Sequence, residues 1–367
     1  MAVATMPKEE FAVIHGQAGN GAFIFSVLVK RTFDLPTGRA PVRSEKPNPL
    51  VKVDAYYEDG DAETSTVKFE SDITAFKFAT DFVVVGKAHA PGGKAVRQLD
   101  ASVEIAGRKK LIRVFGDRRC VHRKDKPPSF TEPEPFTEME MRYDRAYGGS
   151  DEKSSPPLLL VYPRNHRGTG IALKNVAEVV EGLPLPNLED PNDLLTPERV
   201  VLGEPERWNQ QPLPQGFCWF QKSWYPRCSF VGAMPPVVDV NTPLREESLK
   251  LVPEGQIALV RRFKLPAFDH RFNNGASAGL TMPYLAGGEA VRLVNLTPEG
   301  ELKFNLPTET PRIMLDIGLG ENELKPVLHT VCIRAEEKQL DLVWRGAHEH
   351  PGLDWLPEMK RMVAEVS

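Results

Sequence analysis

The sequence predicts a mainly β protein: two β-sandwich or barrel-like parts of antiparallel strands, a proline-rich middle segment and few short helices. Short runs at both ends of the chain alternate apolar and polar side chains, which is typical of strands. The 367 residues include 33 prolines, well above the usual ~5%, and proline disfavours helices because it lacks a backbone N–H. We expect an N-terminal β-rich part over 1–123, a connecting and wrapping segment over 124–216, and a C-terminal β-rich part over 217–367.

The first third contains the clearest alternation. In the run FIFSVLVKRTF over 23–33, apolar side chains at every second position share one face. The turn sequence LPTG over 35–38 then ends the run. From Asp81 onwards the segments FVVVGKAHA, AVRQLDASVEI and KLIRVF are separated by short glycine and proline turns. This spacing predicts an antiparallel meander.

The middle segment has little periodicity. Residues 124–141 are rich in proline and glutamate and predict a long connection. Leu173, Val176, Ala177 and Val180 then follow helical spacing and predict the longest internal helix, which Gly182 ends. Proline-rich residues 184–216 are expected to wrap over a surface.

The last third returns to strands. The segments EAVRLVNL and ELKFNL flank a Thr-Pro-Glu-Gly turn and predict a hairpin. Further strands are expected where Ile313, Leu315 and Ile317 alternate, and where Leu340, Leu342 and Trp344 do. Val327, His329, Val331 and Ile333 are expected to share one face, with the histidine hydrogen-bonded in the core. Met359, Met362 and Val363 predict a final helix over Pro357 to Val366.

Composition limits the classes of function. The formal net charge of -4 argues against nucleic acid as a partner, because Lys and Arg that neutralise phosphates drive such binding. No run approaches the ~18 to 20 apolar residues of a membrane span, and the N-terminal residues lack the pattern of a signal peptide. We therefore expect a cytoplasmic protein without membrane insertion. The four scattered cysteines are expected to be reduced.

The most unusual stretch lies between Arg142 and Gly170. It carries RYDRAYGG, an apolar LLLVY and PRNHRGTG, so aromatic and guanidinium groups lie beside glycines that allow unusual turns. SWYPR and FDHRFNN later combine aromatics with arginine, a composition favoured at recognition surfaces. We expect protein-binding residues in these segments, with either core packing or partner contact as their role: Arg142, Tyr143, Tyr147, Arg164, Asn165, Trp224, Arg227, Phe268, Asp269 and Phe272.

Three enzyme-like patterns lack the context that their chemistry needs. Ser277 lies in a G-x-S-x-G pattern followed by Asp316 and His329, but no strand and helix flank it as in a nucleophile elbow. LLLVYPRNHRGTG resembles a dinucleotide-binding turn, yet Leu173 stands where the third glycine is required. The Cys-Val-His and His-Glu-His triplets at 120–122 and 348–350 each supply fewer than the four ligands of a structural zinc. We expect no catalytic residue, no cofactor and no metal.

In order, these segments resemble a bacterial family, domain of unknown function 2169. The resemblance covers TDFVVVGKAHAP, KLIRVFGDRR, RYDRAYGG, YPRNHRGTG, LPNLEDP, WYPR, LPAFDHRFNNGA and LAGGEAVRLVNLTPEGELKFNLP. The succession RY-x-x-AYGG and YPRN-x-x-G is its most specific part. After WYPR this chain has SFVGAMPPVV, where the family tends to show a Gly-Thr-Tyr-Asp-like turn followed by a tryptophan.

The resemblance implies a non-enzymatic adaptor or chaperone for type VI secretion. Its expected partners are an effector toxin and a spike-tip or spike protein of that secretion system. Two alternatives remain open: a serine hydrolase that uses Ser277, and a structural component of the secretion apparatus.

Overall fold

The computed structural model describes residues 11–17, 23–154, 159–231, 269–318, 320–350 and 363–367, and these residues are mainly β, as predicted. Their strands, in chain order, are β1 (Phe11–Gln17), β2 (Phe23–Asp34), β3 (Val42–Arg43), β4 (Ala55–Tyr56), β5 (Val67–Phe69), β6 (Thr80–Val85), β7 (Lys87–His89), β8 (Gln98–Ile105), β9 (Arg108–Phe115), β10 (Cys120–Val121), β11 (Ser129–Phe130), β12 (Glu138–Glu140), β13 (Tyr147–Gly148), β14 (Ser150–Asp151), β15 (Leu160–Val161), β16 (Thr169–Gly170), β17 (Leu188–Glu189), β18 (Thr281–Met282), β19 (Ala290–Val294), β20 (Glu301–Asn305), β21 (Ile313–Asp316), β22 (Glu321–Leu324), β23 (Val327–Arg334), β24 (Gln339–His350) and β25 (Val363–Val366).

The helices of the described residues are short. Two α-helices have four residues each, α1 (Ala177–Val180) and α2 (Pro197–Val200). Short 3-10 helices cover Tyr57–Asp59, Pro91–Gly93, Tyr143–Arg145, Pro205–Gln210, Arg227–Val231 and His270–Asn273. No helix in the described part of the chain is long and apolar enough to cross a membrane.

The largest sheet has seven strands in the order β1-β2-β24-β23-β6-β18, with β3 also paired to β2. Its neighbours run antiparallel except β6 and β23, which are parallel. Every residue of β6 is buried, as expected for a valine-rich strand that is covered on both faces. Such a strand pairs on both edges, here with β23 and with β18.

The second sheet has five strands in the order β17-β9-β8-β19-β20. Two of the predicted hairpins build it: β8 turns into β9 through Ala106 and Gly107, both at positive φ. β19 turns into β20 where the Asn295 N–H donates to the Gly300 carbonyl over 2.6 Å. Local turn chemistry therefore fixes both hairpins.

The predicted meander is wrong, because β6 and β8 belong to different sheets. Each large sheet instead combines strands from the first and the last third of the chain. One core cluster packs between strands of both sheets and includes Phe82, Val103, Leu293, Val331 and Leu342. Burial of this shared apolar surface outweighs the short connection between β6 and β8, which would favour pairing of these two strands.

A β-bulge in β23 makes the prediction that Val327, Val331 and Ile333 share one face wrong. The register to β24 shifts between Leu328 and Thr330, so one extra residue lies on β23. Alternation therefore changes phase, and Leu328 rather than Val327 joins Val331 and Ile333 in the core cluster.

The predicted C-terminal helix is wrong for its described part. Val363–Val366 is a strand that pairs with β21 in a three-stranded sheet of order β22-β21-β25, and residues 357–362 lie outside the described residues. Val366 is buried with Ile313 and Leu315 against Phe25 and Val27 of β2. Strand pairing over this apolar face outweighs the weak helical spacing.

The predicted middle helix is one turn long and is shorter than the 3-10 helix Pro205–Gln210. Val176 is extended, so α1 begins at Ala177 and leaves Leu173 outside it. Gly182, at φ 75°, follows its end as expected. The middle segment contributes most of a second core cluster, which contains Cys120, Tyr147, Tyr162, Ile171, Ala172, Leu173, Val179, Val180, Leu185, Leu195, Val200 and Leu202.

Candidate functional site

Three of the motif segments meet at one place in the fold. The buried Asn165 amide donates to the Tyr143 carbonyl over 2.8 Å and to the Tyr147 carbonyl over 3.2 Å. The Tyr225 N–H donates to the Pro163 carbonyl over 2.8 Å. RYDRAYGG, YPRN and WYPR are thereby held together by backbone contacts that depend on the Asn165 side chain and on loop geometry.

The glycines of these motifs are needed for close approach. A Cβ at Gly148 would lie 2.0 Å from the Asn165 carbonyl oxygen, and one at Gly168 would lie 2.5 Å from the Ala146 carbonyl oxygen. Only glycine leaves room for the parallel pairing of β13 with β16 beside the Asn165 loop. The G-G and G-T-G sequences therefore serve backbone packing.

An aromatic triangle lies beneath this junction. The rings of Tyr143, Phe220 and Trp224 pack edge to face, with centroids 5.3 to 5.5 Å apart. The Tyr143 hydroxyl and the Ser277 hydroxyl share a hydrogen bond of 2.5 Å. Burial raises the pKa of Tyr143, so the phenol stays protonated. The triangle is a rigid base in which the Tyr143 hydroxyl is hydrogen-bonded.

Arg227 fastens this base to the N-terminal third of the chain. Its guanidinium forms two bonds of 2.6 Å to the Glu70 carboxylate and one of 2.8 Å to the Phe272 carbonyl. Both charged side chains are 3% exposed. Burial acts to lower the pKa of Arg227, but the Glu70 carboxylate raises this pKa, so the guanidinium stays charged. Arg227 is thus fully engaged inside the molecule.

A groove opens over the junction, and we call it the Arg164 groove. Its volume is about 400 Å³. Its lining combines aromatic rings and prolines with three arginines: Tyr143, Arg164, Leu213, Pro214, Phe220, Tyr225, Pro226, Arg227, Phe230, Arg271, Asn274, Ala276 and Ala278.

The walls of the Arg164 groove are held rigidly from behind. The half-buried Arg164 stacks on Trp208 at 4.8 Å, and Trp208 packs edge to face on Tyr225 at 5.6 Å. Arg271 lies 4.3 Å above the Phe230 ring and is bonded to the Asp269 carboxylate. Stacked aromatic and guanidinium groups lose little side-chain entropy when a partner binds.

The structure distributes the ten predicted residues as follows. Tyr143, Arg164 and Arg227 line the groove, Trp224, Asp269 and Phe272 contact its lining residues, and Asn165 braces the loops behind it. Tyr147 is buried in the second core cluster, and Phe268 lies outside the described residues. A direct role in binding a partner stays a prediction for all ten.

Arg142 lies apart, in a separate charged depression of about 420 Å³. Its guanidinium pairs with Glu58 at 2.8 Å and with Asp144 at 2.5 Å, and it stacks on Tyr57 at 4.6 Å. These carboxylates occupy its hydrogen-bonding capacity.

Sequence reasoning missed the exposed parts of the groove. Leu213 is 50% exposed, and Tyr225, Pro226, Phe230 and Arg271 all reach the surface. The sequence carries no signal for Leu213, because Leu185 also lies between two prolines and is only 2% exposed.

The candidate nucleophile and its partners do not form a triad. Ser277 is fully buried and its described partner is Tyr143. Burial, with Lys77 and Arg345 nearby, lowers the pKa of His329 to about 2. The Asp316 carboxylate accepts the Gly318 N–H over 2.7 Å, which places it in a turn. No hydrogen bond joins Ser277 to His329 within the described residues.

The potential metal ligands stay separate as well. Among the described residues, no group of three or more His, Cys, Asp or Glu side chains could hold a metal ion. Cys120, Cys218, Cys228 and Cys332 are free and buried, and burial raises the pKa of Cys120, Cys218 and Cys332 to about 12.

Comparison with known proteins assigns the chain to a family. No curated protein and no solved structure matches it. The model of the family described as an uncharacterized protein conserved in bacteria (DUF2169) matches residues 20–345, which include the motif junction and every residue that lines the Arg164 groove. The chain therefore belongs to the bacterial family of domain of unknown function 2169.

Proposed function

We propose that this protein is a non-enzymatic adaptor that binds an effector toxin of a type VI secretion system and helps load it onto the secretion spike. The observation that carries the proposal is the Arg164 groove, where exposed apolar side chains and a guanidinium lie on rigid supports. Aromatic and arginine anchors with a polar rim suit a protein partner. The motif resemblance supplies the class of partner.

The rigid base supports this proposal further. The motifs that resemble the adaptor family hold the floor and the back wall of the groove, through Asn165, Arg227 and the aromatic triangle. A pre-organised surface binds without an ordering cost, which favours recognition of a folded or extended client over general stickiness.

Co-purification tests the adaptor proposal. The tagged protein is co-expressed with the toxin and the spike protein that are encoded beside its gene, and bound toxin is measured. Leu213→Asp places a charge on the exposed apolar wall and is expected to lower toxin recovery at least about ten-fold. Val53→Asp is the matched control, because Val53 is 75% exposed and lies outside the groove lining.

Each other outcome points to a different class. Absence of toxin from the purified wild type contradicts the adaptor proposal. Export of the protein itself with the spike in culture fluid favours a structural component of the apparatus. Ester hydrolysis that disappears in Ser277→Ala favours the hydrolase.

A further inference from the structure

We infer that the Arg164 groove recognises an extended segment of the client in which a carboxylate lies next to an apolar side chain. The inference deepens the proposed adaptor function and rests on it for the identity of the client. Three properties of the groove support this inference: an arginine without a carboxylate partner among the described residues, exposed apolar side chains, and prolines that offer no backbone N–H.

Three arginines line the groove, and they differ in their partners. Arg227 is neutralised by Glu70, and Arg271 is bonded to Asp269. Arg164 stacks on Trp208 and donates a single bond of 3.4 Å to the Tyr162 hydroxyl, and no carboxylate of the described residues pairs with it. A planar guanidinium fixed on an aromatic ring presents its remaining donors to a carboxylate in two-bond geometry.

Apolar side chains line the same groove as Arg164. Leu213 is 50% exposed, and Phe230 and Tyr225 are only half-buried although they contribute ring surface to the groove. Covering such side chains favours binding in proportion to the apolar area that is removed from water. The wall therefore favours an apolar side chain of the client at the same site as the ion pair.

The backbone and the size of the groove limit the form of the bound segment. Pro214 and Pro226 line the groove and have no N–H to donate, so this wall offers few main-chain donors for strand addition. The volume of about 400 Å³ admits a few side chains and no folded unit. An extended segment read through its side chains fits these limits.

The test uses the full-length protein and two labelled probe peptides. The first is Gly-Ser-Glu-Phe-Leu-Glu-Ser, and the second carries Gln in place of both Glu residues. Fluorescence polarisation is expected to give about ten-fold tighter binding for the Glu peptide, because each charge-assisted pair with Arg164 is lost in the Gln peptide. The peptide exchange leaves the protein untouched, so its outcome does not depend on folding of a variant.

Variants then locate the contact. Arg164→Gln is expected to remove the preference for the Glu peptide, and Arg164→Lys to restore part of it, because lysine keeps the charge without the two-bond geometry. Leu213→Ser should weaken both peptides to the same extent. Arg123→Gln, at an exposed arginine outside the groove, is the matched control and should bind as the wild type does.

Several results would overturn the inference. Equal affinity for the two peptides, or a preference that persists in Arg164→Gln, would show that Arg164 forms no ion pair with the Glu side chains of the peptide. Toxin recovery that is unchanged in Arg164→Gln refutes the inference and leaves the adaptor function standing, whereas peptide preference without any toxin binding refutes the adaptor function alone.

Discussion

At the scale of single residues, several side chains of the sequence motifs form hydrogen bonds inside the molecule and are not exposed at its surface. Asn165, Tyr143 and Arg227 each bond to a buried polar group that would be costly without a partner: a backbone carbonyl, a hydroxyl and a carboxylate, respectively. The exposed part of the site consists of their neighbours, above all Arg164 and Leu213. The motif YPRN thus contains both a bracing residue, Asn165, and a residue of the groove lining, Arg164.

Arg227→Ala should be strongly destabilising. The change leaves the Glu70 carboxylate buried without its guanidinium, and breaking such a pair costs about 3–5 kcal/mol. Urea unfolding followed by circular dichroism measures the loss. Arg312→Ala is the control, because Arg312 and Glu323 are 61% and 59% exposed, and it should leave the free energy of unfolding nearly unchanged. A loss as small as the control's for Arg227→Ala would contradict the buried pair.

His329 should make the protein acid-sensitive. Its pKa is lowered to about 2 in the folded state by burial and by Lys77 and Arg345, against ~6.5 when unfolded. Below pH 6.5 the unfolded state therefore binds the extra proton, and the free energy of unfolding falls as the pH falls.

The magnitude can be measured between pH 7 and pH 5. Over this range the wild type should lose about 2 kcal/mol more of its free energy of unfolding than His329→Gln does. Urea unfolding at each pH provides the comparison, and differences between two pH values cancel the cost of the substitution itself. Parallel pH profiles for the two proteins would show that His329 is protonated normally in the fold.

At the scale of elements, the sequence predicted correctly those strands and hairpins that depend on neighbouring residues in the chain. The hairpins β8–β9 and β19–β20 followed from their turns, and β2 followed from its alternation. The parallel pairing of β6 with β23 had no such signal, because the hydroxyl of Thr80 and the Leu328 carbonyl that it contacts are 248 residues apart. The bulge at His329 similarly depends on its neighbours in space.

The sequence indicated which types of residue form the candidate site, but not how these residues are arranged in space. Aromatic and arginine residues marked the correct segments, but nothing in the sequence told which of them would find partners inside the fold. The Asn165 amide became a brace because two carbonyls lie within reach. Leu213 was overlooked because exposure of a single leucine depends on the path of the proline-rich segment around it.

Gly148→Ala should disturb the junction of the motifs. The added Cβ would lie 2.0 Å from the Asn165 carbonyl oxygen, so the loop must shift, at a cost of about 2–4 kcal/mol. The change in melting temperature gives the measurement. Gly92→Ala is the control, since nothing lies within 4 Å of its Cβ position and only the positive φ costs about 1 kcal/mol. Equal shifts for both variants would mean that the close approach does not matter.

At the scale of the whole molecule, the two large sheets unite the ends of the chain. In the five-stranded sheet β8 pairs with β19, and in the seven-stranded sheet β2 pairs with β24 and β6 with β23. The largest core cluster is built from both sets of strands, so neither set buries its apolar face by itself.

Fragments 1–216 and 217–367 should therefore fail to fold separately. Each would lose strand partners in both large sheets, whereas the full chain should unfold in one transition. Thermal unfolding followed by circular dichroism, with the full chain as the control, tests this expectation. A cooperative transition in either fragment would show that it has a sufficient core of its own.

The pairing of β2 with β24 has a consequence during synthesis. The Thr32 hydroxyl and its acceptor Asp341 are 309 residues apart, which a ribosome covers in roughly 15 to 60 s at ~5–20 residues per second. Throughout that interval the nascent chain carries an apolar strand, with Val27, Leu28 and Val29, that has no long-range partner. Folding of the main sheet is thus a late event, and the newly made chain needs protection from aggregation until its last strands leave the ribosome.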